Sequence, residues 1–261
     1  YTALLDGNFL VPESVFLRRR VYEDVGLFDE SLRACEDWDV WLRAAKSYNI
    51  GRCGEILTRH RVLPGSMSTD PQRMITARIA VLGKHLGPEP ASAGDSLTHR
   101  SYGRAYLSSG VEYLQYGGME KAYESFRAMA NRCPRLLTEL DTFYQIGCGD
   151  QPKGSLGDFQ TVETGRNQEM ALDLLQRLLA DPATTPEVRR LENKATAAAY
   201  TSLGMIAYGA RRFDESRRLF SRALAASPSL LFDRQVMAFY VKSRLGPGLL
   251  EFLKGVRKSA A

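Results

Sequence analysis

Apolar residues in the first third of the chain recur at helical spacing in two places. In residues 36–48 they stand at i, i+3, i+4 and i+7, which predicts a short amphipathic helix with one buried face. These apolar positions are Trp38, Trp41, Leu42 and Ala45. Asp70 and Pro71 supply an N-cap and a first-turn proline, and they predict a second helix that ends near Leu86.

Two other segments of the same region have the character of β-strands. Residues 8–18 carry β-branched and aromatic side chains around Pro12, which limits them to an edge or bulged strand. Residues 55–63 are also strand-like, and a Pro-Gly pair suited to a type II turn follows them. Strands and helices together predict a mixed α/β fold for residues 1–86.

Beyond residue 98, a pattern of aromatic, small and helix-ending residues occurs twice. The first copy is Tyr106, Gly110, Tyr113, Ala122, Phe126 and Pro134, and the second is Tyr200, Leu203, Gly204, Phe220, Ala223 and Pro228. Gly and Ala let two helices approach closely, Phe fills the space between them, and Pro ends the second helix. The period of about 34 residues resembles that of tetratricopeptide repeats. An all-α domain of helical hairpins is therefore expected.

The rest of the second half fits around these two copies. Residues 137–147 and 167–180 are expected to form a degenerate repeat, split by a Gly-rich insertion. Residues 230–245 and 249–256 are expected to cap the stack. The segment GPEPASAGDSLT at 87–98 lacks apolar periodicity and has the composition of a linker. The predicted domains are thus residues 1–86 and 99–261.

Composition excludes several classes of protein. No run of eighteen apolar residues and no signal-like start occurs, so we expect no transmembrane segment and a cytoplasmic protein, or one at the inner face of the membrane. The four cysteines lack CxxC spacing, which argues against a zinc site or a disulfide framework. The net charge of +5 comes from residues 91–261, where charges of both signs are interspersed. This favours a solvated helix surface over a nucleic-acid partner.

The densest group of chemically active side chains is ACEDWDVWLRAA, residues 34–45. Carboxylates this close together can act as a general base or hold a metal. Acidic residues in the first turn of a helix also favour its dipole, and Asp39 can pair with Arg43 one turn later. A metal-dependent hydrolase built on Glu36, Asp37 and Asp39 is disfavoured because no histidine neighbours them.

Four segments of residues 1–86 resemble, in the same order, motifs of family 2 glycosyltransferases of the GT-A fold. They are GNFLVPESVFLRR (7–19), VGLFDESL (25–32), EDWDVWLR (36–43) and RVLPGSMS (61–68). The resemblance implies the C-terminal part of a Rossmann-like GT-A domain. It makes Asp37 the catalytic base that deprotonates an acceptor hydroxyl, with inversion at the sugar's anomeric carbon. Glu36 and Trp38 would then lie beside the acceptor.

The same resemblance implies a loop that closes over the donor diphosphate. Arg61, Ser66 and Ser68 would contact phosphate through charge and hydroxyl groups. Leu63 stands where family members often have a metal-binding histidine, so no metal ligand is assigned in this chain. A Mg²⁺ or Mn²⁺ ion would require a DxD motif in a donor-binding half that these residues do not include, and this chain by itself is expected to be inactive.

Two functions therefore remain open. The first is transfer of a sugar from a nucleotide-sugar donor to a glycan, lipid-linked or protein acceptor, with the repeat domain holding the acceptor or a protein partner. The second is a non-catalytic helical-repeat module that binds proteins and carries a glycosyltransferase remnant.

Overall fold

The chain folds into α-helices joined by short 3-10 turns and irregular segments. The computed structural model describes residues 1–61, 63, 65–116, 118–149, 151, 157–159 and 161–244. The helices are α1 (Thr2–Leu5), α2 (Arg19–Val25), α3 (Glu36–Ser47), α4 (Pro71–Leu86), α5 (Leu97–Gln115), α6 (Met119–Arg132), α7 (Leu140–Gly147), α8 (Thr164–Ala180), α9 (Pro186–Arg190), α10 (Glu192–Gly209), α11 (Phe213–Ala226) and α12 (234–244). No strand occurs among the described residues.

The predicted α/β fold of residues 1–86 is wrong. The described part of this region has helices and 3-10 turns but no β-sheet, and a GT-A half would require a sheet. The expectation that residues 1–86 form part of a family 2 glycosyltransferase of the GT-A fold is therefore wrong. The two predicted helices, in contrast, are confirmed as α3 and α4.

The strand-like segments fail to form strands because they have no neighbour to pair with in the described chain. A strand needs backbone partners and at least one covered face. Pro12 instead begins a 3-10 turn, and Phe16 beyond it is 91% exposed. Residues 51–60 are all exposed and irregular, and Ile56 is 96% exposed.

Contacts divide the chain into two compact units. The first takes in Tyr1–Tyr113 and the described residues of 117–133, and the second takes in Leu114–Tyr116 and the described residues from Pro134 onward. The predicted linker at 87–98 lies within the first unit, and the domain boundaries drawn around it stay a prediction.

The core of the first unit forms around the two tryptophans of α3. Trp38 and Trp41 are buried, and their indole nitrogens donate hydrogen bonds to the carbonyl oxygens of Leu4 and Leu10 at 2.8 and 3.2 Å. Apolar side chains of α1, α4 and α5 complete this core. The amphipathic spacing of α3 therefore buries one face of the helix, as predicted. The adjacent carboxylates lie at the start of this well-packed helix.

Each of the two predicted repeat copies is a pair of helices with a glycine facing a phenylalanine. In the first unit, Gly110 of α5 faces the buried ring of Phe126 on α6. In the second, Gly204 of α10 faces Phe220 on α11. A proline begins a 3-10 turn after α6 and after α11, as the pattern predicts. The helical half of the predicted fold is compatible with this arrangement.

The segments between and after these pairs are also helical. α7 and α8 occupy the predicted degenerate repeat, and both pack against α10. α12 occupies most of the first predicted cap, whereas the second, residues 249–256, lies outside the described residues. None of the helices in the described chain combines the length and the apolar content needed to cross a membrane.

We predict that Gly110→Ala destabilises the first unit. A Cβ at this position would lie 2.7 Å from two carbons of the Phe126 ring, and that ring is buried and has no room to retreat. Overpacking of this kind costs about 1–3 kcal/mol, more than alanine gains in helix propensity. Urea unfolding followed by tryptophan fluorescence measures it, because both tryptophans lie in this unit.

Gly83→Ala on α4 is the matched control. Its nearest neighbour would be the Tyr102 hydroxyl at 3.7 Å, an ordinary contact, so we expect a gain of about 0.5–1 kcal/mol. Equal stabilisation by both substitutions would show that α5 and α6 do not approach closely at Gly110.

Candidate functional site

The predicted base, Asp37, lies in the first turn of α3. Its two carboxylate oxygens accept hydrogen bonds from the Trp38 backbone N–H at 2.7 Å and from Asn8 Nδ2 at 3.2 Å. Burial raises the pKa of Asp37; the two hydrogen bonds lower it, Glu36 raises it further, and the net shift is upward. A half-buried carboxylate of raised pKa is a stronger proton acceptor than an ordinary aspartate.

The residues predicted to hold the acceptor differ in their access to solvent. Glu36 is half-buried next to Asp37, so a ligand could reach it. Trp38 is 2% exposed and points into the core. In this conformation its indole face is not open to a sugar ring, and its predicted role in acceptor binding would require movement of α1.

The residues predicted to contact a diphosphate are only partly brought together. The hydroxyls of Ser66 and Ser68 lie 3.3 Å apart, both half-buried, at the start of a 3-10 turn. Arg61 is exposed on the irregular segment before them. Two residues of this predicted loop, at 62 and 64, lie outside the described chain. The described residues hold no group of three side chains suited to a metal ion.

Asp39 is a fully buried carboxylate of the first unit whose network was not predicted from the sequence. Its predicted pairing with Arg43 is confirmed at 3.0 Å, and the structure adds that Asp39 is fully buried. It also accepts hydrogen bonds from Lys84 Nζ at 3.0 Å and His85 Nε2 at 2.9 Å. The missing signal was long-range, since both partners lie at the end of α4.

The partners of Asp39 extend its network to the chain before α3. Arg43 donates to the carbonyl oxygens of Val25, Gly26 and Leu27 at the end of α2 and just after it, the last two at 2.9 and 2.6 Å. Lys84 donates to Asp29 at 2.8 Å, and this bond, with those from Ser31, lowers the pKa of Asp29. The network therefore ties α2, α3 and α4 together.

Asp39 and His85 are held in their ionised and neutral forms, respectively. Burial alone would raise the pKa of Asp39, but hydrogen bonds from His85 and Lys84 and the charge of Arg43 lower it overall. Burial lowers the pKa of His85, with Lys46 and Lys84 acting in the same sense and Asp39 opposing them. A neutral His85 that donates Nε2–H to a charged Asp39 fits both directions.

A second candidate site is in the second unit, around the turn between α10 and α11. Three adjoining cavities of about 410, 590 and 810 Å³ share lining residues there. We call this surface the arginine groove, after the six arginines that line it: Arg211, Arg212, Arg217, Arg218, Arg222 and Arg244. Asp214 and Glu215 lie among them. Five of these arginines lie within residues 211–222, a local concentration that the interspersed charge of this half did not bring out, and Arg244 joins them from α12.

Comparison of the chain with protein-family models, curated proteins and solved structures gives no significant match. The two sites therefore have to be interpreted from their own chemistry.

We predict that Asp39→Asn destabilises the first unit by about 3 kcal/mol or more, because it leaves Lys84 and Arg43 without the buried charge that they face. Urea unfolding monitored by tryptophan fluorescence gives the value. Glu23→Gln is the control, since Glu23 pairs with Arg19 on a well-exposed turn of α2 and its loss should leave the midpoint unchanged. Equal midpoints for the two variants would mean that Asp39 is not buried in a charge network.

We also predict that the first unit loses stability in acid in two stages. The folded-state pKa of His85 is lowered from 6.5, so its contribution is complete above pH 6.5 and declines as the pH falls toward the folded value. The pKa of Asp39 is lowered from 3.8, so its contribution is lost only below about pH 4. Chemical unfolding at a series of pH values measures both stages. His85→Gln should remove the first stage and retain the second. A wild-type free energy of unfolding that increases as the pH falls from 7 to 5 would contradict the lowered pKa of His85.

Proposed function

We propose that the second unit is a protein-binding module built from packed helical hairpins. The observation that carries this proposal is the layered packing around α10. Helix α10 packs against α11 through the Gly204–Phe220 contact and through a hydrogen bond from the Ser216 hydroxyl to the Gly204 carbonyl oxygen at 2.8 Å. It packs against α7 through a hydrogen bond from the Ser202 hydroxyl to the Leu140 carbonyl oxygen at 2.7 Å.

This architecture suits binding because of how it uses its helix surfaces. Stacked helix pairs bury a continuous core between them and present their outer faces as one extended surface. Small buried residues of α10, such as Ala195, Ala199 and Ala207, allow the close contacts. The charged residues of α11 stay on the outer side, where they line the arginine groove. A rigid frame with an open charged groove is what a partner segment needs in order to dock without large rearrangement.

We predict that panning a random peptide library on the immobilised full chain selects peptides that bind the second unit. Hydrogen exchange with and without a selected peptide locates the contact, and slower amide exchange is expected in α10 and α11. The amides of α3 and α4 serve as the internal control and should exchange at unchanged rates. Failure to select any peptide, or protection confined to the first unit, would contradict the proposal.

Sugar transfer is a second candidate, favoured by one observation at Asp37. The raised pKa of this half-buried carboxylate, with Glu36 beside it, is what a general base for an acceptor hydroxyl requires. This candidate does not include a GT-A fold, and any nucleotide-sugar donor or divalent metal would have to be bound by groups other than those described here. It rests on one carboxylate, whereas the binding module rests on the packing of several helices.

For this candidate we predict that Asp37→Asn lowers turnover by about 10²- to 10⁴-fold in a polypeptide that also supplies a donor site. Transfer from uridine, guanosine and thymidine diphosphate sugars is the assay. Donor affinity should be unchanged, because the substitution removes only a proton acceptor. Ser14→Ala is a control in the same unit that should leave turnover unchanged. Near-normal turnover with asparagine at position 37 would eliminate Asp37 as the base.

A further inference from the structure

The arginine groove contains more positive charge than its own carboxylates neutralise. Arg212 lies 3.7 Å from Glu215, and Arg217 pairs with Asp214. The other four arginines have no carboxylate oxygen within 4.0 Å in the part of the chain that the structure describes: Arg211, Arg218, Arg222 and Arg244. Guanidinium groups with unused N–H donors bind carboxylates through two parallel hydrogen bonds.

Two of these four arginines are already held in place by aromatic rings. The guanidinium carbon of Arg222 lies 5.7 Å from the centre of the Tyr200 ring, and that of Arg244 lies 5.0 Å from the centre of the Tyr240 ring. Arg244 also donates one hydrogen bond to the Tyr240 hydroxyl at 2.7 Å. Stacking fixes the plane of a guanidinium group without using its N–H donors. A ligand that binds these two side chains therefore loses less of their conformational entropy.

Arg211 occupies a backbone conformation that arginine disfavours. Its φ is +60°, in the left-handed region that suits glycine or asparagine. The position closes the α10–α11 turn, with the N–H of Arg211 bonded to the Tyr208 carbonyl oxygen and that of Arg212 to the Ala207 carbonyl oxygen. Glycine would make the same turn with less strain, so folding does not explain the arginine. A non-glycine side chain in this region is a reason to test it for a role in binding.

The mixed signs within the groove indicate what kind of ligand fits it. Asp214 and Glu215 are interspersed with the arginines, and Glu215 is fixed there by hydrogen bonds from Thr164 and Gln168. A nucleic acid carries negative charge at every backbone position and would meet these carboxylates at close range. A peptide can place acidic side chains opposite the arginines and neutral or basic ones opposite the carboxylates. The charge pattern therefore favours a peptide over a nucleic acid.

We propose that the arginine groove binds an acidic segment of a partner protein. This inference rests on the proposed function of the second unit as a protein-binding module, and it assigns both the surface and the chemistry of the partner. Glutamate or aspartate side chains pair with the four arginines that lack a carboxylate, and the segment lies along α11 between the α10–α11 turn and α12.

The test uses the full chain and a fluorescein-labelled peptide of alternating glutamate and glycine, with the glutamine analogue as the uncharged control. Fluorescence anisotropy should show binding of the glutamate peptide that weakens as salt is added, because exposed charges are screened. The double variant Arg218→Glu/Arg222→Glu should weaken binding by at least about tenfold. The double variant Arg166→Glu/Arg190→Glu makes the same change in net charge at exposed positions that do not line the groove, and it should retain the wild-type affinity.

Arg211→Gly separates a binding role from a structural one. It should raise the unfolding temperature, because it relieves the strain of the left-handed backbone conformation, and it should also lower the affinity for the glutamate peptide. An arginine that only completed the turn would give the first effect without the second. Circular dichroism of each variant confirms that the helices are retained.

The inference is overturned if both double variants lower the affinity for the peptide equally, or if neither lowers it. It is also overturned if a single-stranded oligonucleotide displaces the labelled peptide at a lower concentration than the unlabelled peptide does. These outcomes are distinct from failure of the proposed function. If library-selected peptides protect α10 and α11 but ignore the groove arginines, the binding module stands and only this site is wrong. If no peptide binds the second unit at all, both are wrong.

Discussion

The close approach of paired helices at a glycine is the constraint on which the helical architecture depends. Gly110 and Gly204 each face a phenylalanine ring of the partner helix, and an added Cβ would crowd that ring. Because buried aromatic rings pack at close to crystalline density, neither partner has room to yield. The arginine groove depends on this close approach too, since it lies at the end of the α10–α11 pair.

The first unit is organised by a different interaction, the buried charge of Asp39. Three cationic or hydrogen-donating side chains converge on it from α3 and α4, and through Arg43 it also fixes the chain after α2. A buried carboxylate is tolerated only when it is paired, so these helices have little freedom to move apart. Asp37, two residues earlier, shares the same helix but lies half-buried at its start. The two carboxylates therefore differ in environment: Asp39 is buried and ion-paired, whereas Asp37 is partly accessible to solvent.

The helices could be predicted from the sequence because their signals are local. The spacing of Trp38 and Trp41 and the Asp70-Pro71 cap lie within one or two turns of the helix that they specify. Each glycine–phenylalanine pattern lies within one pair of consecutive helices. The strands predicted at residues 8–18 and 55–63 could not be judged in this way, because a strand depends on a neighbour that local composition does not reveal. The motif resemblance of residues 1–86 to a glycosyltransferase failed for the same reason: short motifs matched in order, but no sheet accompanies them in the described chain.

The candidate sites were predictable to a smaller degree. Asp37 was proposed as a base from its neighbours in the sequence, and that role stays a prediction, although burial raises its pKa. The burial of Asp39 depends on Lys84 and His85, more than forty positions away, and the arginine groove depends on α12 returning to α11. Five of the six groove arginines lie within residues 211–222, so most of that charge is local in the sequence, and only Arg244 depends on the packing of α12.

The central claim is that the second unit presents the arginine groove to a protein partner. Modification of the full chain with phenylglyoxal, followed by mass spectrometry, tests it directly, because the reagent reports the access of each arginine side chain. With a library-selected peptide bound, Arg211, Arg218 and Arg222 should become less reactive while Arg166 and Arg190 keep the reactivity of the free chain. Unchanged reactivity of the groove arginines, or equal protection at all five positions, would contradict the account.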